Sequence, residues 1–296
     1  MKLEMKTGGH AAPPPAETVG PRRSESSKAA RVAEVIGDLP PMPHIAAQVI
    51  EKLSDENSTP KQIHQIIMQD QALAGRVLKV ANSPYYGASR SISTVRDALM
   101  FMGFDAIRSL IMTAVLKGMS INVGLAEKLL WEHAVGCGLA ARKIGEEVGF
   151  ARKEEAYLAG LMHDFGKTAL FLRAPSVMRD IMQEVYNDGM DFFDVEQRKL
   201  GFTHADVGGI IADNWRFSKD IEYAIADHHQ PVEPGATGEL TQIISLANSI
   251  CHKLGVGPTR KPDLDLNGTQ TAKMLGLSPA SIEKILLAVS QAIEER

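Results

Sequence analysis

The sequence predicts an all-α protein, and three observations predict it. From Ala29 onward, apolar residues recur at three- and four-residue spacing almost without a break. Helix starts are spelled out in the side chains, most clearly at Thr59-Pro60-Lys61-Gln62 and Thr203-His204-Ala205-Asp206. No segment shows the sustained alternation of a half-buried strand. The expected architecture is a multi-helix bundle preceded by a smaller N-terminal helical bundle.

Residues 1–27 read as a disordered tail, with Gly8-Gly9, Pro13-Pro14-Pro15 and Ser24, Ser26 and Ser27 but little that could build a core. Residues 28–122 form the first helical half. Ile45, Val49, Ile50 and Leu53 share one helix face. Thr59 caps the next helix, Pro60 takes its first position and Gln62 closes a capping box, with Ile63, Ile66 and Ile67 inward. Leu73, Val77, Leu78 and Val80 line a helix that ends near Asn82-Ser83-Pro84, because proline disfavours helix in the residue before it. Tyr85-Tyr86-Gly87 is a loop, read either as an aromatic anchor for a partner or as packing, with Asn82 capping a helix. Val95, Leu99 and Met102 restart a helix that Gly103 interrupts, and Ile107, Leu110, Ile111 and Val115 form the next.

Residues 123–296 form the second bundle, with the boundary near Ser120 to Val123. Leu129, His133, Gly136 and Ala140 share a face of one long helix. Tyr157 to about Leu172 reads as a single helix without an internal proline. Thr203 places His204 in a first turn. Ser278-Pro279 opens the last helix, with Ile282, Ile285, Leu286 and Val289 inward.

Composition excludes several classes. The net charge is −4, which argues against a nucleic-acid surface; short basic clusters such as Arg22-Arg23 and Arg260-Lys261 invite one, but such runs are usually solvated surface. No apolar run approaches a membrane span, and the first residues lack the apolar stretch of a signal peptide. Cys137 and Cys251 make no Cys-x-x-Cys spacing and suggest no disulfide framework, so a cytoplasmic protein is expected. Aromatics are scarce and methionines plentiful, as suits core filling in a helical protein.

The chemistry lies in the histidines. His133, the pair His163-Asp164, then His204 and the pair His228-His229 supply the ligand types that hold zinc, iron or manganese. Neighbouring residues on a helix diverge by about 100°, so His163 could face one ion while Asp164 bridges to another. A lone histidine such as His133 or His204 would read as a core residue, and a buried hydrogen-bonded histidine cluster is the bland alternative for the whole set. Lys167 stands one turn after Asp164, placed either to hold a phosphate or to pair with that aspartate at the surface. His10, His44, His64 and His252 are assigned surface or structural roles.

The order His133, His163-Asp164 resembles the HD superfamily of metal-dependent phosphohydrolases, and Tyr157-Leu-Ala-Gly-Leu-Met-His-Asp-Phe-Gly-Lys167 looks like its central helix. His204, His228 and His229 resemble the second-metal ligands of the HD-GYP branch, which hydrolyses cyclic di-GMP. The first half narrows the resemblance. Leu39-Pro-Pro-Met-Pro43, Gln69-Asp-Gln-Ala-Leu73, Leu78-Lys-Val-Ala-Asn-Ser-Pro-Tyr-Tyr-Gly87, then Ile92, Ala98 and Gly103, look like the HDOD family, the HD-related output domain, over roughly Val32 to Pro231. The sequence departs from the pattern twice. Asn248, in Leu246-Ala-Asn-Ser-Ile250, stands where the HD motif has its final aspartate, and an amide is a weaker ligand than a carboxylate. His229-Gln-Pro-Val-Glu-Pro-Gly235 lacks the Gly-Tyr-Pro signature of a cyclic di-GMP phosphodiesterase.

What the resemblance implies is a bacterial signal-transduction output module, non-catalytic or weakly catalytic, partnered by signalling proteins and holding one or two ions of iron, manganese or zinc. No receiver is fused within this sequence, so its input is expected from another chain or from the tail. The metal ligands implied are His133, His163, Asp164, His204, His228 and His229, with Asn248 as a weak member. The alternative is a metal-dependent phosphohydrolase acting on a nucleotide or cyclic dinucleotide, in which Asp164 and Lys167 would be catalytic.

Overall fold

The structure, a computed structural model, describes residues 23–294 except 39, 56, 84–87, 89–90, 121–123 and 231–237. The tail before Arg23, the Tyr85-Tyr86-Gly87 loop, the proposed boundary at 121–123 and the segment after Gln230 lie outside the described residues. Among those described, every regular element is helical. The first six helices are α1 (Arg23–Ile36), α2 (His44–Ser54), α3 (Pro60–Ile67), α4 (Gln71–Ala81), α5 (Val95–Met102) and α6 (Phe104–Ser120). They are followed by α7 (Leu125–Val148), α8 (Lys153–Met162), α9 (Phe165–Arg173), α10 (Pro175–Asp188), α11 (Phe192–Leu200) and α12 (His204–Asn214). The chain closes with α13 (Lys219–Ala226), α14 (Gly238–Leu254), α15 (Gln270–Met274) and α16 (Pro279–Glu294).

The sequence signals explain the boundaries. Thr59 accepts from the Gln62 amide while Gln62 returns the bond to Thr59, so both orphan donors at the start of α3 are satisfied. Asp70 caps α4 through the amides of Ala72 and Leu73. Asn82 ends α4: its Nδ2 donates to Leu78 O and Ile92 O, and its Oδ1 accepts from Ile92 N. Of the two readings of the 82–87 segment, this arrangement supports the structural one for Asn82. Gly103, at φ +81, lets α5 and α6 meet at a bend of 117°. No single described helix is long and apolar enough to cross a membrane.

Two apolar cores result. The smaller joins α2 to α6 through Val49, Ile63, Ile67, Val77, Leu99, Ile107 and Ile111, each essentially out of solvent. Each such side chain contributes about 1.5–3 kcal/mol of burial. The larger runs through α7 to α16. Helix α6 serves both, because Met112 and Leu116, on a different face from Ile107 and Ile111, fall in the larger core. Helix α1 starts at Arg23, inside the range read as tail, and its Val32 and Ile36 also belong to the larger core. The Trp215 indole N–H, at the end of α12, donates to Pro40 O and ties the α1–α2 connection to that core.

One helix boundary differs from the expectation. The segment from Tyr157 to Leu172 is two helices, broken at His163 and Asp164. The break separates two close approaches of backbone. A methyl group on Gly160 would lie 2.6 Å from the Cys137 carbonyl oxygen of α7. One on Gly166 would overlap the His204 carbonyl oxygen at the start of α12. Glycine at both positions lets α8 lie against α7 and α9 against α12, with the His163-Asp164 corner between them.

Candidate metal centre

Four separate elements deliver histidines to that corner. His133 comes from the middle of α7, His163 from the end of α8, His204 from the first turn of α12, and His228 and His229 from the turn after α13. Thr203 fixes His204 with a capping box, accepting from the Asp206 amide while Asp206 returns the bond. His133, His163, His204 and His228 are at most 1% exposed, and Asp164 is 5% exposed. Only His229 among them is half-buried.

Backbone and side-chain acceptors set the tautomers. His133 Nδ1 lies 2.9 Å from Val256 O, and His163 Nδ1 and His228 Nδ1 each lie 2.7 Å from the carbonyls of Gly160 and Ile225. His204 Nδ1 lies 2.6 Å from Glu196 Oε2. Each of these acceptors requires an Nδ1–H, so each neutral ring keeps its lone pair on Nε2. All four Nε2 atoms face Asp164. Its Oδ2 is 3.5 Å from His133 Nε2 and from His163 Nε2, while its Oδ1 is 3.1 Å from His204 Nε2 and 3.8 Å from His228 Nε2. The His204 Nε2 atom is also 3.0 Å from His229 Nε2.

The arrangement is rich in lone pairs and poor in protons. His163 Nε2, His228 Nε2 and Asp164 Oδ1 are buried without a hydrogen-bond partner; Oδ1 is close to His204 but misaligned for a bond. Orphaned buried acceptors are costly, and bound cations would satisfy them. Burial drives His163 down to about 3 and His228 well below the usual imidazole value, and burial with the nearby His204 drives His229 down to about 2, so these rings stay neutral. Burial alone would raise the Asp164 carboxyl, but His163, Lys167 and His204 outweigh it and hold the group well below the usual carboxylate range. Burial likewise disfavours a charged His204, yet Glu196 and Asp164 turn its net shift upward. The negative field that favours a proton there favours a metal cation equally.

The donors sort into two groups. One ligand atom each from Asp164, His204, His228 and His229 lies within 4.8 Å of all the others, and one each from His133, Cys137 and His163 does likewise. These residues fit a metal ion. Asn248 stands at the second group, its Oδ1 3.1 Å from His133 Nε2. Because His133 already donates from Nδ1, the amide must present its nitrogen to that ring, and an Asn can do so where an Asp cannot.

The structure thus brings together His133, His163, Asp164, His204, His228, His229 and Asn248. Lys167 is with them, donating to Asp164 Oδ2 at 2.7 Å. It is 5% exposed and lies over the Phe192 ring at 4.7 Å, so the surface placement considered for it is incorrect: α9 turns it inward. His252 is structural, stacked on His133 with centroids 5.3 Å apart, and burial pushes it down to about 2. Two residues escaped the sequence reading. Glu196, fully buried on α11, accepts from both the backbone amide and Nδ1 of His204, the orienting contact that metal-bound histidines commonly carry. Cys137 lies 3.5 Å from His133 Nε2. Its position four residues after His133 on one helix was the available signal; Glu196 offered none.

Fold and site together define an all-helical HD-type domain. The sequence model of the HDOD domain matches residues 39–231, and the chain belongs to that family. An HDOD domain protein of unknown function from Geobacter sulfurreducens has a similar structure, with a TM-score of 0.76 and 26% identity, covering 90% of this chain and 97% of that one. An uncharacterized protein of Treponema pallidum is 23% identical over 224 residues, covering 74% of this chain and 43% of that protein. The chain therefore spans less than half the length of that curated relative.

Proposed function

We propose that this chain is a regulatory output module of a bacterial, cytoplasmic signalling system, one that holds a divalent transition metal and does not turn over a phosphoester. The observation that carries the reading is closure. Asp164, His204, His228 and His229 offer four protein donors within one ion's reach, and all but His229 are buried. A zinc ion held by these four protein ligands would have no position left for water, which is the pattern of structural rather than catalytic zinc. The neutral Asn248 beside His133, in place of a carboxylate, supports the same reading. The ion implied is zinc, iron or manganese, and it would hold α9, α12 and the turn after α13 together. The partners are signalling proteins, reached through the helical surface.

A second reading is favoured by one contact. The buried Lys167 side chain, 2.7 Å from Asp164, would stand beside any phosphate bound at the metal, as a phosphohydrolase acting on a nucleotide or cyclic dinucleotide would use. A metal bound here would supply that chemistry by lowering the pKa of a water ligand.

The deciding experiment measures metal by mass spectrometry in protein purified without chelator and without oxygen, beside the Asp164→Ala/His204→Ala double variant. The same preparation is tested on a panel of phosphomonoesters, nucleotides and cyclic dinucleotides. Near-stoichiometric metal that the double variant loses, with no turnover, is the expected result. Turnover that disappears in His163→Ala moves the assignment to the phosphohydrolase. Metal-free wild type removes the metal from either account.

A further inference from the structure

We infer that the Cys137 thiolate completes a second metal position, together with His133, His163 and the shared Asp164 carboxylate, and that this position selects zinc or a similarly thiophilic ion over manganese and magnesium. The inference rests on the metal-binding reading above and adds a ligand from outside the HD pattern.

The geometry points to it in three ways. Cys137 follows His133 by one turn on α7, so both side chains leave the same helix face, and Sγ lies 3.5 Å from His133 Nε2. A tetrahedral zinc with Zn–S near 2.3 Å and Zn–N near 2.0–2.1 Å sets sulfur and nitrogen ~3.5 Å apart. Two further pairs agree: Asp164 Oδ2 is 3.5 Å from both His133 Nε2 and His163 Nε2. The third observation is His163 Nε2 itself, which is 0% exposed, faces this group and has no hydrogen-bond partner.

A thiol hydrogen bond is the rival account of the Cys137–His133 contact, and it leaves too much unexplained. The Cys137 thiol has both His133 Nε2 and the Cys251 sulfur as hydrogen-bond partners. A thiol proton given to either would still leave His163 Nε2 bare. A metal ion takes the lone pairs of both rings and the sulfur together. On binding, the S–H bond breaks, a sulfur–metal bond forms and the proton leaves to solvent. A sulfur donor replaces the oxygen donor that an aspartate at 248 would supply, and thiolate is a soft ligand that magnesium and manganese bind poorly.

The test is cobalt(II) substitution of the full chain, read by absorption. The wild type is expected to show a sulfur-to-cobalt charge-transfer band in the near ultraviolet. Cys137→Ser should lose the band, while Cys251→Ser, which changes only the neighbouring sulfur, should keep it. Excess magnesium or manganese should not abolish the band. Bound cobalt with no thiolate band in the wild type overturns the inference and leaves the Asp164, His204, His228, His229 centre standing. A band that survives in Cys137→Ser, or vanishes in Cys251→Ser, overturns the assignment to Cys137. A wild type that binds no cobalt overturns both. Because the wild-type band is decisive alone, poor folding of Cys137→Ser cannot protect the idea.

Discussion

Glu196→Gln separates the orienting role of the second layer from simple burial. Glu196 Oε2 accepts from the His204 amide at 2.7 Å and from His204 Nδ1 at 2.6 Å, and Oε1 has no partner. Glutamine keeps an oxygen for both donors but loses the charge and buries an amide N–H pair where Oε1 had nothing to bind. The weakened charge-assisted bonds and the unpaired donors together cost about 1–2 kcal/mol. His204 also becomes a poorer ligand. Losing an orienting partner typically weakens metal binding 10–100-fold, or about 1.4–2.7 kcal/mol of ligand-linked stability under saturating metal. For a chain of this size each kcal/mol moves Tm by roughly 2 °C. The variant should therefore melt roughly 2–4 °C below wild type in chelator and roughly 5–9 °C below it with zinc, on the same scale. The assay is thermal unfolding by circular dichroism with zinc and with chelator, backed by competition against a chromophoric chelator. An equal deficit in both conditions, with unchanged zinc affinity, would refute the idea that Glu196 acts through His204 on a metal.

Three further perturbations probe the frame around the centre. Gly166→Ala forces a methyl group into the His204 carbonyl, and because backbone cannot step aside it should cost about 3 kcal/mol and lower metal content; an unchanged melt would show that α9 and α12 are not closely apposed. Asn248→Asp places a second buried carboxylate beside His133, so the chelated protein should lose roughly 3 kcal/mol and the zinc-loaded protein should recover most of it; identical behaviour in both states would mean that no ion approaches His133. Asn82→Ala removes one bond to Leu78 and the two that join the end of α4 to Ile92, and should cost about 1–2 kcal/mol, seen as a lower urea midpoint at constant slope, with metal content untouched.

Much of this architecture is legible where local chemistry decides it. The capping boxes at Thr59 and Thr203 set their helices one residue at a time, and both stand as written in the sequence. The spacing of Ile282, Ile285 and Val289 reports a buried face directly. The break at His163 was not legible, because neither proline nor glycine stands at the corner itself. It arises from tertiary packing, where Gly160 and Gly166 let two other helices press in from either side. The same limit applies to the site. His133, His163-Asp164 and His204 announce themselves by type and order, whereas Glu196 belongs to the cluster only because α11 folds back across the start of α12. The inward turn of Lys167 depends likewise on Phe192, which sits 25 positions along the chain.

The burial of the centre also governs time. With His133, His163, His204 and His228 all but sealed from solvent, an ion cannot exchange by simple dissociation through an open mouth. Exchange has to wait for local opening of the packed helices, whose rate is set by their stability rather than by the affinity of the ligands. Such a centre would be filled as the chain folds and would then hold its ion for the lifetime of the packed state. Its occupancy would record the metal supply at synthesis, not the supply of the moment.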